Sequence, residues 1–332
     1  MSGPETGKEH GAATRADVAA DARLPYGRPL LIVNPRAGRG SGPVLDRLVA
    51  ALGVLGVTPD VATTTGPGDA SAIAREATLA GRGLLVAVGG DGTLHEVVNG
   101  AFDAATGHGV GPDVRGPVVG VVGAGSGSDL SRTFGLDRRP ELLADHLLGE
   151  TVTAMDLMRL TARDAHGQPV VRLGVNVAEA GYGGSVVALA NRLPRRLGSA
   201  RYAAGIVGAV AGFRRTSTTL THDGGTTDEP VCNVVIANGQ FFGGGLRVAP
   251  RALPTDGQLD VQSWGGTPID VVRAQPQLRS GRHLARDDVR SWRSARVAVD
   301  ASRRLTVEAD GEVIGTTPLL VEVLPGALRL KV

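Results

Sequence analysis

The sequence predicts an α/β plus β fold: an N-terminal three-layer α/β domain on a parallel sheet, then an antiparallel domain of sandwich or barrel type. Two observations predict it. Between residues 29 and 150, continuously apolar runs alternate with segments of helical periodicity, as expected for parallel strands covered by helices on both faces. From residue 151 to residue 332, short and often alternating β-rich runs are separated by glycines and charged residues. A chain of 332 residues is long enough for both domains.

The elements of the first domain are predicted from two patterns: continuous apolar runs for strands, and apolar residues at helical spacing for helices. The run PLLIVNP is apolar almost throughout and predicts a strand. In the segment after it, apolar residues recur at helical spacing up to Gly56, a residue type that often ends helices. The predicted order is strand 29–35, helix 44–56, strand 57–65, helix 68–81, strand 83–90, a helix from Leu94, strand 117–125 and a short helix from Asp129.

The second domain is predicted from shorter runs. Alternation of apolar and polar residues, as in TSTTLTHD, indicates strands with one buried face. Three segments interrupt the strands with helical spacing. The predicted strands are 151–162, 170–180, 216–223, 231–239, 257–264, 295–301, 304–313 and 318–332, and the helical segments are 185–198, 201–213 and 268–283.

Composition excludes several classes of protein. No apolar run approaches the roughly 18 to 20 residues that span a bilayer, so we expect only peripheral membrane contact. Aromatic residues make up 3% and form no basic-aromatic platform, so nucleic-acid binding is not expected. A lone cysteine, Cys232, permits no internal disulfide. Residues 1–28 are small, polar and charged and lack the apolar core of a signal peptide, so a disordered tail and a cytoplasmic protein are expected.

Three glycine-rich turns follow predicted parallel strands of the first domain. They are NPRAGRGSG at residues 34–42, GGDGT at residues 89–93 and GAGSGSD at residues 123–129. Glycine lets backbone N–H groups approach an anion, and the start of the following helix adds its positive end. The first turn lacks the Gly-Lys-Ser/Thr ending of the common P-loop and the spacing of the dinucleotide fingerprint. Because the carboxyl ends of parallel strands meet at one edge, these turns predict a phosphate-binding crevice.

Acidic residues lie in or near this predicted crevice and in two later turns. A carboxylate beside phosphates is repulsive unless a cation intervenes, so Asp91 predicts either Mg²⁺ with bound waters or contact with a substrate hydroxyl. The alternative is that Asp91 caps the helix it begins. Further along, LPTDGQLD at residues 253–260 and ADGE at residues 309–312 each fit an Asp-Gly turn between strands.

Taken together and in order, these motifs resemble the catalytic-domain family of the diacylglycerol kinases, which includes bacterial lipid kinases and the related sphingosine and ceramide kinases. The resemblance rests on VNPRAGRGSG, VGGDGTLHEVVNG, VVGAGSGSDLSRTFGL, ANGQFFGGGLRVAPRALPTDGQLDV and VEADGE and covers residues 29–332. It implies that ATP and Mg²⁺ bind between an α/β nucleotide-binding domain, residues 29–150, and a β-sandwich domain, residues 151–332. The γ-phosphoryl group would pass to a lipid hydroxyl, with diacylglycerol as the first acceptor to expect.

The resemblance also implies roles for individual residues. Glu312 would be the general base that takes the proton of the acceptor hydroxyl, and Asp310 would position it or a metal. Asp91 would serve the phosphates through Mg²⁺, in agreement with the chemistry of phosphoryl transfer. The implied nucleotide contacts are Asn34, Pro35, Arg36, Ala37, Gly38, Thr64, Gly90, Asp91, Gly92, Thr93, Leu94, His95, Glu96 and Ser126, and the implied structural Mg²⁺ ligands are the Asp256 side chain and the Leu253 and Gln258 carbonyl groups.

The sequence departs from the family pattern at two places and leaves other functions open. The third turn replaces the usual Pro-Leu-Gly-Thr-Gly-Asn-Asp, and His95 stands where asparagine is common, either as a solvated or packing residue or as a ligand contact. One alternative is a kinase for a soluble hydroxylated substrate such as NAD, and another is a nucleotide-binding regulatory protein with a decayed site. The basic segment at residues 192–201 fits either a solvated face or anionic headgroups. Nothing marks the oligomeric state, and a homodimer stays open.

Overall fold

The computed structural model describes residues 24–38, 40–124, 128–136, 139–194, 197–198 and 200–332. Most of the predicted N-terminal tail therefore lies outside the described residues, as does Ser126 of the third turn. Among the described residues, no helix is both long enough and apolar enough to cross a bilayer.

The first domain has the predicted parallel sheet. Strand β1 pairs in parallel with β2 on one side and with β3 on the other, and β3 pairs in parallel with β4. Every residue of β1 and β3 is buried, which explains why both strands are apolar runs in the sequence. The elements are β1 Leu30–Val33, α1 Gly42–Val54, β2 Asp60–Thr63, α2 Asp69–Leu79, β3 Leu84–Gly89, α3 Asp91–Ala101, β4 Val118–Gly123, α4 Asp129–Thr133 and α5 Pro140–Leu148.

Helices cover both faces of this sheet. Leu30 and Ile32 of β1 belong to a core that includes residues of α2 and α3. Leu31 and Val33 point to the other face and belong to a second core, which includes residues of α1 and α5. Alternate residues of one strand therefore serve two cores, and the predicted three-layer α/β domain is confirmed.

The second domain is built from antiparallel strands and confirms the predicted β-sandwich. Strand β8 alternates buried and exposed residues along its whole length, as its sequence predicts. The helical segment predicted at 185–198 ends earlier, at Asn191, and Pro194 follows closely. The elements are β5 Val152–Arg163, β6 Pro169–Gly174, β7 Val177–Gly181, α6 Tyr182–Asn191, α7 Ala200–Gly212, β8 Thr216–His222, β9 Gly225–Val231, β10 Asn233–Ala237, β11 Leu259–Trp264, α8 Pro268–Arg273, α9 Gln275–Ser280, β12 Val289–Ser294, β13 Arg296–Ala301, β14 Thr306–Ala309 and β15 Glu312–Lys331.

Strand β15 belongs to both domains. Its first part pairs with β14, and its middle pairs with β13. Near its end, Arg329 and Leu330 pair in parallel with β4, which adds a strand to the first sheet. Strand β5 runs antiparallel beside β15 over most of this length. The boundary predicted at residue 150 therefore divides the chain in sequence, whereas the sheet continues across it.

Candidate active site

A deep cleft lies between the two domains at the carboxyl ends of the parallel strands. Its volume is about 1730 Å³, larger than the roughly 300 to 1,000 Å³ of a typical small-molecule site. One wall is formed by the turns after β1, β2 and β3, and the opposite wall includes α6, α7 and the turn between β14 and β15. The cleft therefore has room for two ligands side by side.

In the first wall, glycines leave the backbone accessible to a ligand from the cleft. A Cβ atom built on Gly40, Gly66 or Gly68 would meet no heavy atom within 4 Å. At Gly92 the nearest atom to such a Cβ is Glu312 Oε1, at 3.9 Å. The helix α3 begins here, so its first N–H groups have no partner within the helix. Open glycines around a helix start form a cradle that fits phosphate groups.

Asn34 and Thr93 join two of the turns. The Asn34 side chain donates a hydrogen bond from Nδ2 to Thr93 Oγ1 at 3.2 Å and accepts one from the Arg36 backbone N–H at 3.1 Å. A Cβ atom on Gly89 would overlap the Thr93 side chain, so glycine is needed at this position for packing. The glycines of the second turn thus have different uses, because Gly89 admits Thr93 and Gly92 faces the cleft.

Glu96 fixes the turn that follows β2. Its carboxylate accepts hydrogen bonds from the backbone N–H groups of Gly68 at 3.0 Å and Ala70 at 3.1 Å, at the start of α2. Thr64 lies buried beside this turn, and Leu94 is buried in the core of the first domain. These residues build the wall, and the nucleotide contacts that the resemblance implied for them stay predictions. Pro35, Ala37 and Gly38 lie in the turn after β1, where Ala37 is buried and Gly38 lines the cleft.

Asp91 caps a helix other than its own. Its carboxylate accepts hydrogen bonds from the backbone N–H groups of Asp129 at 3.1 Å and Leu130 at 3.3 Å, at the start of α4. The pKa of Asp91 is raised from 3.8 to about 6, mainly by burial; the neighbouring carboxylates of Asp129 and Asp310 contribute to the rise, and the two hydrogen bonds oppose it. Asp91 therefore holds the start of α4 against the second turn, and its carboxyl group titrates at a higher pH than that of an exposed aspartate.

This raised pKa predicts a pH-dependent stability. The folded chain holds the Asp91 proton more tightly than the unfolded chain, so this group lowers the free energy of unfolding as pH rises from 3.8 to about 6. Asp91→Asn cannot titrate. We therefore expect its free energy of unfolding, relative to the native chain, to rise across this window and to level above it. Urea denaturation at several pH values measures the difference, and a difference that is constant with pH contradicts the prediction.

Asp310 is a buried anchor between the domains. Its Oδ1 accepts hydrogen bonds from the backbone N–H groups of Asn176 at 2.8 Å and Val177 at 3.2 Å. Its Oδ2 accepts one from the Val175 N–H at 2.8 Å and lies 2.9 Å from His95 Nδ1. Asp310 has a φ of 53°, in the left-handed region that aspartate tolerates better than most residues. Its carboxylate thus ties the β6–β7 connection of the second domain to α3 of the first.

This contact accounts for His95, whose role the sequence left open. His95 is buried on α3, and Asn99 Nδ2 lies 3.4 Å from its Nε2. Because an ionised carboxylate can only accept, the arrangement favours the hydrogen on Nδ1. In this structure His95 is therefore a packing residue beneath Asp310, and the nucleotide contact that the resemblance implies for it stays a prediction.

Glu312 stands apart from this network. It begins β15, is partly buried and lines the cleft beside the start of α3. Within the described part of the chain, its carboxylate has no hydrogen-bond or ion-pair partner, whereas both oxygens of Asp310 are occupied. Glu312 is thus placed to accept a proton, and Asp310 to position the turn that carries it.

Two further carboxyl groups on the cleft wall were missed by sequence reasoning. Glu179 of β7 and Glu308 of β14 are buried opposite each other in paired strands. Asn233 Nδ2 donates to Glu179 at 2.7 Å. Burial raises the pKa of Glu179 to about 6, and burial together with the Glu179 charge raises that of Glu308 well above its usual range. The available signal was a glutamate in the middle of an otherwise apolar strand, VAEAG.

In the predicted magnesium loop, the Asp256 carboxylate and the Leu253 carbonyl group already have partners within the protein. Asp256 forms an ion pair with Arg293 through one carboxylate oxygen, and the other oxygen accepts the Gln258 N–H at 3.1 Å. The Leu253 carbonyl group accepts the Thr255 N–H at 2.7 Å. Across the described residues, no group of three His, Cys, Asp or Glu side chains could hold a metal. The assignment of Mg²⁺ to this loop stays a prediction, and the ion pair with Arg293 disfavours it.

Because a guanidinium group already neutralises Asp256, we expect Mg²⁺ to leave the unfolding temperature of the native chain unchanged. In Arg293→Met the carboxylate loses its cation, so Mg²⁺ should raise the unfolding temperature of that variant relative to EDTA. Thermal unfolding with Mg²⁺ or EDTA measures both effects. A rise in the native chain that Asp256→Asn removes would show that the loop binds the metal despite Arg293.

Both domains match known protein families. Residues 28–160 match the family model of the diacylglycerol kinase catalytic domain, and residues 176–332 match that of the YegS C-terminal NAD kinase beta sandwich-like domain. A probable lipid kinase YegS-like from Pseudomonas aeruginosa is 32% identical over 277 residues, which cover 81% of this chain and 83% of that protein. A diacylglycerol kinase from Mycobacterium tuberculosis is 28% identical over 316 residues, covering 93% and 96%. The fold is also similar to that of a putative diacylglycerol kinase from Bacillus anthracis, with a TM-score of 0.70, 22% identity and coverage of 92% and 96%.

Proposed function

The chain belongs to the family of the diacylglycerol kinases and YegS-like lipid kinases, and on that premise we propose that it transfers the γ-phosphoryl group of ATP to the hydroxyl group of a lipid, with diacylglycerol as the first acceptor to test. The observation that carries the proposal is the position of Glu312. Its carboxylate has no partner among the described residues and lies beside the phosphate cradle, in a cleft with room for both substrates.

The cleft fits a nucleotide and the Mg²⁺ that accompanies it. The open glycines and the start of α3 offer N–H groups to the phosphates, and the exposed Arg36 adds a positive charge. Asp91 and Glu312 place negative charge near the same cradle, which disfavours phosphates unless a cation is present. Bound Mg²⁺ supplies that charge neutralisation. An ion that enters with the nucleotide needs only one or two carboxylates from the protein.

The opposite wall suits a lipid acceptor. Apolar side chains from α6, α7 and the loop after β10 line this part of the cleft. They can bury acyl chains while the acceptor hydroxyl reaches Glu312. The lining apolar residues are Val186, Val187, Ile206, Phe242 and Leu246.

In the proposed reaction Glu312 accepts the proton of the acceptor hydroxyl as its oxygen attacks the γ-phosphorus and the bond to ADP breaks. Asp310 and His95 keep the turn in place, and Asp91 holds the third turn against the cradle. Most of the rate acceleration in such transfers comes from alignment and charge neutralisation.

The test is transfer of labelled phosphate from ATP. The purified full chain is incubated with Mg²⁺ and mixed micelles that contain diacylglycerol, ceramide, a sphingoid base or a total lipid extract, and with NAD as the soluble acceptor. We expect label in a lipid, identified by mass spectrometry. Label in NAD alone, or ATP binding with no labelled lipid from any acceptor, would overturn the proposal.

A further inference from the structure

A second cavity lies on the β-sandwich domain, outside the cleft. Its volume is about 390 Å³, and it lies between α6, α7 and the connection from β13 to β14. It shares no lining residue with the cleft, and no acidic residue lines it. Apolar side chains in its lining include Leu189 and Phe213, beside polar groups such as Thr306. The charged residues at its edge are Arg192, Arg214, Arg303 and Arg304.

Among the described residues, these arginines have no acidic partner. Elsewhere in the described chain, arginines such as Arg47 and Arg286 form close ion pairs, at 2.6 and 2.7 Å. None of the four guanidinium groups around the cavity forms an ion pair with a described acidic residue. Like charges around one cavity repel, and a bound anion relieves that repulsion. The guanidinium fork binds phosphate oxygens in pairs, so a phosphate group is the anion that this set recognises best.

An apolar helix face continues from the cavity. The side of α7 that lines the cleft carries Tyr202 and Ile206, whereas its outward side carries small apolar residues. Val207 on that outward side is 71% exposed, and only Gly205 and Ala209 of the helix are buried. A helix with one exposed apolar face and basic residues beside it is typical of segments that lie on membranes. The exposed residues of this face are Ala203, Ala204, Val207, Gly208 and Ala211.

We propose that the cavity binds the phosphate of an anionic phospholipid headgroup and that the outward face of α7 lies on the same bilayer. Charge complementarity selects this occupant, because the arginines supply positive charge at the edge of an apolar surface. The two features lie side by side, since Gly208 and Ala209 of α7 also line the cavity. Docking here would bring the bilayer to the helix whose other side borders the cleft. The proposal does not depend on lipid phosphorylation, because the cavity and the cleft have no residue in common.

The test is sedimentation of the full chain with vesicles. We expect binding to vesicles that contain phosphatidylglycerol and little binding to pure phosphatidylcholine vesicles. The double variant Arg303→Gln with Arg304→Gln should bind the anionic vesicles about thirtyfold more weakly. The matched control is Arg279→Gln with Arg282→Gln, which removes the same charge from exposed positions that line neither cavity. Val207→Asp should also weaken vesicle binding, because it places a charge on the apolar face.

Several outcomes would overturn the proposal. These are an equal loss in the matched control, an unchanged affinity in the double variant, or no binding of the native chain to anionic vesicles. A further measurement adds glycerol phosphate in solution to the vesicle assay. If glycerol phosphate at low concentration displaces the chain from the vesicles in a saturable way, the cavity binds a free phosphate compound instead. Transfer to a short-chain acceptor without vesicles should be unchanged in the double variant. A chain that binds vesicles but phosphorylates no lipid would refute only the proposed function.

Discussion

Replacing Glu312 with glutamine should lower the rate of phosphoryl transfer by about a hundredfold to ten-thousandfold, which is the usual contribution of a general base. Glutamine keeps the size of the side chain but cannot accept the hydroxyl proton. Glu312 has no partner among the described residues, so its replacement removes no contact that holds the fold. Nucleotide binding should therefore stay within a few-fold of the native value.

The measurement separates chemistry from binding. Turnover is followed with labelled ATP and the best lipid acceptor, and ATP affinity is measured by calorimetry on the same samples. Glu322→Gln is the matched control, because Glu322 lies on the same strand but pairs with Arg159 at 2.8 Å on a partly exposed surface. Neither Glu322 nor Arg159 lines the cleft, so the control should retain its activity. Full activity in Glu312→Gln would show that another group accepts the proton.

Replacing Asp310 with alanine should have the largest effect on stability, a loss of about 3 to 5 kcal/mol in the free energy of unfolding, as for breaking a buried charged network. The Asp310 side chain is only 1% exposed. Alanine would leave the N–H groups of Val175, Asn176 and Val177 without their acceptor and His95 without its partner. It would also place a residue with little tolerance for positive φ at 53°.

Asp310→Asn is the conservative comparison. Asparagine tolerates the left-handed backbone and keeps one acceptor oxygen, so it should restore part of the stability and of the turnover. Urea denaturation gives the free energies of unfolding, and the transfer assay gives the rates. If Asp310→Ala unfolds at the same urea concentration as the native chain, the anchoring role is wrong. If both variants are stable but inactive, Asp310 acts on the reaction rather than on the fold.

The parts of the fold that the sequence could predict depend on local pattern. Strands β1 and β3 bury every residue, so each is visible as an apolar run. The glycine turns after these strands are local too, and their convergence follows from the parallel sheet. The glutamates of β7 and β14 were also detectable, because a charge inside an apolar strand needs a partner or a raised pKa.

Other contacts have no local pattern. The hydrogen bond from the Asp129 N–H to Asp91 joins residues 38 positions apart, and the contact between His95 and Asp310 spans 215 positions. Neither periodicity nor turn chemistry determines which distant groups meet. The sequence thus identified Asp91 and Asp310 as important carboxylates but could not show that each is occupied by backbone N–H groups. For the same reason it could not anticipate the guanidinium group beside Asp256.

The continuity of β15 limits how the cleft can open. A hinge needs a few residues that absorb a large backbone change, but here β15 and its neighbour β5 pass between the domains as two paired strands, whose pairing is interrupted between Leu324 and Leu328 and resumes beyond it. Wide separation of the walls would break those bonds. We therefore expect exchange of substrate and product to depend on local shifts of α6 and α7 at the rim rather than on a wide swing of one domain. Small-angle X-ray scattering should accordingly give the same radius of gyration with and without ATP.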